Sequence, residues 1–391
     1  MTLDQTRFAP DRANLPPPIV AFAALLIFIS LPAFQYALND WVAREGLMLP
    51  NGRTWFGRDF TNLYLGGRFA LEGIDIYDFP TYRARLVELG ILAGQNSSYP
   101  PTVYLLGAPL SRLDYFLALA LWHLGGALLF VLAARKHVSF PWPWLFLFPA
   151  MVSIPNGQYG LYTAGLWMLA FTGSGVAAGL LTVKPHLGIL LALTMAVQKR
   201  WKMILTACVV AIALLVLAEL AFGLTESFLT GGVRMQSRIL LTDSDQNYFG
   251  SMTSAYVWLR GTPWAWPAQI AFSIAALVLV APLLKLPLRA LVFPLATATF
   301  LILPYAFAYD MAVVLLGIAS LLWRDWGRLT LVERIVPVVA CVALAKVFWV
   351  PVALLAVLII QRRIALAEQA QSEENDAHEK DRDHHQTLQA G

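Results

Sequence analysis

Apolar residues gather into long runs separated by short polar stretches. Ile19 to Leu38, Tyr115 to Ala134, Met203 to Phe222 and Trp266 to Leu284 each have roughly the 20-residue length that carries a helix across a bilayer. Further runs lie at Trp142 to Ile154, Leu161 to Phe171, Val176 to Val197, Leu291 to Leu303, Met311 to Trp323 and Leu331 to Ile360, which makes about ten hydrophobic spans in all, several shorter than a full crossing. Pro149, Pro155, Pro185, Pro294, Pro304, Pro337 and Pro351 interrupt them. Prolines so placed predict broken or re-entrant helices lining a cavity. The pattern therefore predicts an all-α polytopic membrane protein.

Short basic clusters punctuate the runs: Arg135-Lys136-His137, Lys199-Arg200-Trp201-Lys202, Lys285 with Arg289, Arg324 with Arg328, and Arg362-Arg363. Such clusters mark the cytoplasmic side. Residues 1–16 are then a cytoplasmic N-terminal segment, and residues 17–360 form one integral membrane domain. Two hydrophilic stretches, at about 39–98 and 223–261, fall on the outer side. Pro16, Pro17 and Pro18 suit the first turn of the first span. Tyr36, Asn39 and Asp40 follow that span in place of a small-residue cleavage site, which predicts an uncleaved span. Residues 361–391 lose apolar character and mix acids, bases and histidines, which predicts a disordered cytoplasmic tail.

Composition narrows the function classes. With 58% hydrophobic and 13% charged residues, the chain cannot cover a water-exposed surface. A net charge of +4, spread between spans, gives no nucleic-acid footprint. Cys208 and Cys341 both fall inside apolar runs, so they read as packing thiols, and no disulfide framework or cysteine metal site is available.

Charged groups close to a membrane are costly and tend to mark function. The segment Arg58-Asp59-Phe60-Thr61-Asn62-Leu63-Tyr64-Leu65-Gly66-Gly67-Arg68 in the first outer stretch reads as an amphipathic helix lying in the interface. Asp59 suits either the N-cap of that helix or a general base facing a cavity. Asp75 and Asp78 read as turn formers. Ser98-Tyr99-Pro100-Pro101-Thr102 and Asn156-Gly157-Gln158-Tyr159 lie between spans. Lys184, in Leu181-Thr182-Val183-Lys184-Pro185-His186, either snorkels to the cytoplasmic face or finds a phosphate or carboxylate partner. Pro304-Tyr305-Ala306-Phe307-Ala308-Tyr309-Asp310 sets a second carboxylate at the outer end of a span, where helix capping explains it as well as function does.

Taken together and in order, these segments resemble glycosyltransferase family 87, the family of polyprenol-phosphate-mannose-dependent α-mannosyltransferases of the GT-C fold. The resemblance implies Asp59 as catalytic base and a sugar donor on a polyprenyl phosphate. No nucleotide-sugar site is implied, in keeping with the lack of a Gly-rich Rossmann fingerprint. The expected reaction is inverting transfer of a hexose such as mannose to an extracytoplasmic glycan or lipid acceptor, in the plasma (inner) membrane. Arg58, Arg68, Tyr64, Gln158, Lys184, Tyr309 and Asp310 are the candidate substrate-binding residues, with Arg68 preferred for the donor phosphate because its planar fork suits that group. No cofactor or metal ion enters this reading; many relatives pair two acids, whereas here Arg58 precedes Asp59. The rival classes are a secondary transporter and a non-catalytic scaffold of the same fold.

Overall fold

The computed structural model describes residues 57–89, 97, 99–138, 157–242, 252–346 and 349–389. The expected spans at Ile19 to Leu38 and Trp142 to Ile154 lie outside the described residues. Within them the chain is helical, without a strand, and Met252 and Phe307 form an isolated antiparallel bridge.

Four described helices are long and apolar enough to cross a membrane. They are α4 (Tyr115–Ala134), α8 (Trp201–Phe222), α10 (Ala265–Val280, prolonged to Lys285 by a 3-10 turn) and the first part of α14 (Val350–Gln389). Asp114 caps α4, accepting hydrogen bonds from the Phe116 and Leu117 amides at 2.9 and 3.2 Å. Gly223, in the left-handed region at φ 63°, ends α8. Along α8 the side chains of Leu205, Val209, Ile212, Leu217 and Leu220 face outward, and Cys208 is exposed with them rather than packed. A helix apolar all round that turns most of its surface away from the protein needs lipid there.

Shorter apolar helices fill the centre: α5 (Gly160–Ala170), α11 (Leu288–Ile302) and α12 (Ala312–Trp323). Leu315, Leu316, Ile318 and Ala319 of α12 are fully buried. The Val176 to Val197 run is not one helix. It divides into α6 (Gly175–Leu180), two 3-10 turns and α7 (Ile189–Val197), with Lys184 at φ −132°, ψ 75° between the turns. Pro185 causes the break, because it lacks an N–H and excludes its predecessor from the helical region. The run from Leu331 likewise divides into α13 (Leu331–Lys346) and α14, with Trp349 at φ 55° before the second helix. Pro294 and Pro337, in contrast, stay inside α11 and α13.

The tail also differs from expectation. α14 runs unbroken from Val350 to Gln389, so residues 361–389 are helical. Alanine, glutamine, glutamate and lysine are strong helix formers. Arg328 and Arg363 further tie its exit to the bundle through Glu368 at 2.7 Å and Glu333 at 2.8 Å.

Where they are described, the two hydrophilic stretches are largely helical, and they meet. In the first, α1 (Arg58–Leu71) and α2 (Phe79–Glu88) pack with α3 (Pro101–Leu110), which follows that stretch; the second contributes a π turn at Phe228–Gly232 and α9 (Val233–Thr242). Tyr77 packs its ring on Phe228 at 5.4 Å, and Gly232 leaves room for it. Asp75 and Asp78 form the expected turn, Asp75 accepting from the Tyr77 amide at 2.9 Å. The basic clusters gather at the other end of the bundle. There Lys136, Arg289 and Arg324 surround one cleft, and Gln198 donates to the carbonyls of Leu284 and Leu286 at 2.8 and 2.7 Å.

Candidate active site

α1 is held at one height by its contact with α3. A side-chain carbon on Gly67 would overlap the backbone of Gly107 and Ala108, and one on Gly107 would overlap the Leu63 carbonyl. Glycines at both positions let two helix backbones touch, so Gly66-Gly67 serves close packing and puts no bend in α1. One side of this helix packs into the protein. Phe60, Leu63, Leu65 and Phe69 are buried, together with Thr61 and Asn62, and Tyr82 donates to Asn62 at 3.1 Å.

Gly57, at φ 76°, is the N-cap of α1, with no side-chain cap; its carbonyl accepts from Tyr115 at 3.0 Å and from Thr61 Oγ1 at 3.2 Å. Asp59 is therefore not the cap. It sits in the first turn, half-buried, and its Oδ2 accepts a hydrogen bond from Gln158 Nε2. Gly157, at φ 69°, packs so closely on Phe60 that a β-carbon would overlap it, and its carbonyl accepts from Trp122 Nε1 at 3.0 Å. Backbone contacts thus deliver Gln158 to Asp59. The other amide atom, Gln158 Oε1, is buried and has no partner.

Next to Gln158 the buried Tyr159 ring lies 4.4 Å from Lys184 Nζ. Lys184 does not snorkel to the basic end. It is buried, and its ammonium lies 2.7 and 2.8 Å from the two carboxylate oxygens of Asp310. A carboxylate holding a buried lysine bidentately accounts for a cation inside an apolar run. Asp310 does not cap α12, whose N-cap is Met311. Tyr309 adds a second ring, 5.1 Å from Lys184 and stacked on Phe307 at 4.7 Å. Tyr99 meets Tyr159 edge-on at 5.0 Å. Asp59, Gln158, Lys184, Tyr309 and Asp310 thus form one chain of contacts that runs through Tyr159. Neither Tyr159 nor Tyr99 stood out as a site residue in the sequence, although both lie in the loop segments noted there.

Two expected residues lie elsewhere. Arg68 is nine residues after Asp59 in one continuous helix, a rotation of about 180°. Its side chain is exposed and bonded to Glu72 at 3.0 Å. Tyr64 shares that stripe of α1 and donates to the Leu113 carbonyl at 2.7 Å. The Arg58 side chain lies outside the described residues.

No curated protein and no solved structure gives a match to the chain. The sequence profile of glycosyltransferase family 87 matches residues 98–304, more than half of the chain. That match contains Gln158 and Lys184, while Asp59 lies 39 residues before its start and Asp310 six residues after its end. With helices apolar enough to span a membrane, the chain belongs to glycosyltransferase family 87 and is a membrane glycosyltransferase that acts on a sugar donor and an acceptor.

Proposed function

We propose that the enzyme transfers a hexose, mannose in the first instance, from a polyprenyl phosphate to an extracytoplasmic glycan or lipid acceptor with inversion, on a GT-C-type fold in the plasma (inner) membrane. The observation that carries the reading is the hydrogen bond from Gln158 to Asp59, one residue from the ring that touches Lys184. An aspartate fixed at the rim of a cluster of aromatic rings suits a general base working beside a sugar. The acceptor oxygen attacks the anomeric carbon in line as the bond from that carbon to the phosphate oxygen breaks. The acceptor proton passes to Asp59, and the bonding electrons leave with the polyprenyl phosphate. Lys184, oriented by Asp310, supplies positive charge for that leaving group. Gln158 Oε1 is left to accept a substrate hydroxyl. The exposed Arg68–Glu72 pair takes no part. Lipid-facing side chains on α8 suit a donor that reaches the site from the bilayer.

Asp59→Asn in the purified full-length chain tests this. The amide keeps the shape but takes no proton, so transfer from a polyprenyl-phosphate mannose should fall by about 10²–10⁴-fold while the protein elutes as wild type on gel filtration. Undiminished transfer would remove Asp59 as the base, and transfer from a nucleotide sugar alone would remove the donor class.

A further inference from the structure

A second polar cluster lies at the opposite end of α12 from Asp310. Fourteen residues of helical rise, about 21 Å, separate Asp310 from Arg324, so the two cannot serve one reaction centre. Here the end of α4, the start of α11, the end of α12 and the middle of α14 enclose a small cleft of about 50 Å³ that is partly open to solvent. Its lining includes Lys136, Arg289, Arg324, Asp325, Gln361 and Glu368.

The charges of this cleft do not balance internally. Asp325 is held by Arg324 at 3.2 Å and Arg328 at 3.5 Å, and Glu368 by Arg328 at 2.7 Å and Arg324 at 3.6 Å. These two acids and two arginines neutralise one another. Lys136 and Arg289 remain, with no acidic partner among the described residues, and the lining carries a net charge of +1 (three cations less two carboxylates), Arg328 pairing with the two acids from just outside it.

Gln361 gives the second, independent sign of a ligand. Its side chain is 4% exposed, and neither its Nε2 nor its Oε1 has a hydrogen-bond partner. It reaches this position because Gly317 of α12 has no side chain; a β-carbon there would stand 3.1 Å from Gln361 Nε2. A buried amide with both atoms unpaired is costly unless something enters to pair them. The start of α11 also borders the cleft at Arg289 and Ala290, and the dipole at a helix N-terminus favours negative charge.

We infer that this cleft binds the phosphate group of an anionic phospholipid, with Lys136 and Arg289 on the phosphate oxygens and Gln361 bridging the phosphate and a headgroup hydroxyl. Basic clefts between membrane helices at the level of the headgroups have the right charge and depth for such a ligand. A lipid is favoured over free phosphate because α4 and α10, which end at this level, expose Leu124, Leu128, Leu132, Ile274 and Val278 along their length, a surface on which acyl chains can lie.

The test uses the full-length protein, delipidated in a neutral detergent, with melting temperature and native mass spectrometry as readouts. Phosphatidylglycerol, phosphatidylcholine and inorganic phosphate are added separately. Phosphatidylglycerol should raise the melting temperature and remain bound in the mass spectrum, while phosphatidylcholine does neither. In Lys136→Ala/Arg289→Ala its affinity should drop by about 10-fold or more. Gln361→Leu, which keeps the charge, should also weaken binding, and it serves as the second variant if the double one does not fold. Lys202→Ala/Lys285→Ala removes the same charge outside the cleft and should bind as wild type. Equal loss in both double variants would mean diffuse surface attraction and would overturn the site. An equal shift with inorganic phosphate alone would overturn the lipid assignment, and wild-type affinity in the Lys136/Arg289 and Gln361 variants would overturn the proposal outright.

Discussion

Gln158 Nε2 donates a hydrogen bond to Asp59 Oδ2 across 99 residues of chain. Both partners are fixed from behind: Asp59 lies in the first turn of a helix pinned by glycine contacts, and Gln158 follows a glycine packed on Phe60. A base so held is ready before substrate arrives.

Replacing that donor should change the pH profile as well as the rate. In Gln158→Glu a second carboxylate meets Asp59, and like charge disfavours the ionised form and raises its pKa. A base must be deprotonated to act, so the acid limb of the kcat profile should move to higher pH, with partial recovery of rate in alkaline buffer. Gln158→Leu should instead lower kcat at every pH by about 10-fold, since it removes orientation without adding charge. Stopped-time transfer assays across pH separate the two variants. An unmoved acid limb in Gln158→Glu would count against Asp59 as the titrating base.

The Lys184–Asp310 pair separates stability from chemistry. Asp310→Asn strands a buried ammonium, which should cost about 3–5 kcal/mol in thermal unfolding. In Lys184→Met/Asp310→Leu both charges go, and stability should return close to wild type. Sugar transfer should not return with it, because the leaving phosphate has lost its cation. A double variant with wild-type turnover would reduce the pair to a structural element.

Arg68 supplies the contrasting case. With Arg68 51% and Glu72 35% exposed, the pair sits in a screened environment. Arg68→Ala should therefore change stability by about 0–1 kcal/mol and leave the dependence of rate on donor concentration unaltered. A raised KM for the donor would return Arg68 to the site.

Backbone contact between α1 and α3 makes a further prediction. Gly67→Ala and Gly107→Ala each push a carbon into the neighbouring backbone, and should destabilise by about 1–3 kcal/mol. Gly327→Ala, which has open space around it, should stay within about 0.5 kcal/mol of wild type. Melting curves of the three variants decide it.

The spans that the sequence marks most clearly are those without internal conflict. Tyr115 to Ala134 is a single apolar run with Asp114 before it, and the helix has those same limits. Val176 to Val197 reads as one span because apolar composition does not resolve a break that depends on Pro185 and on the partner of Lys184. A carboxylate was one of the partners open to Lys184, but which one was not legible, since the pairing joins positions 126 residues apart. Of the two readings open for Asp59, the N-cap falls for a local reason: Gly57, in the left-handed region, takes the cap two residues earlier. Arg68 was preferred for its planar fork, but whether it can face Asp59 depends on helical rotation, and in the continuous α1 the two stand about 180° apart. The tail has the composition of disorder and also of a helix, and its ties to Arg328 and Glu333 join segments the sequence leaves far apart.

The distance in sequence between Lys184 and Asp310 also sets an order of events during synthesis. At about 5–20 residues per second, the 126 residues between them take about 6–25 s to emerge. For that interval the first half of the chain carries an ammonium whose carboxylate does not yet exist, and an unpaired charge at depth is costly. The Lys184–Asp310 pair therefore closes only after α11 and the Asp310 turn have been made. Until then the broken α6–α7 segment lacks one of the contacts that hold it in the folded protein.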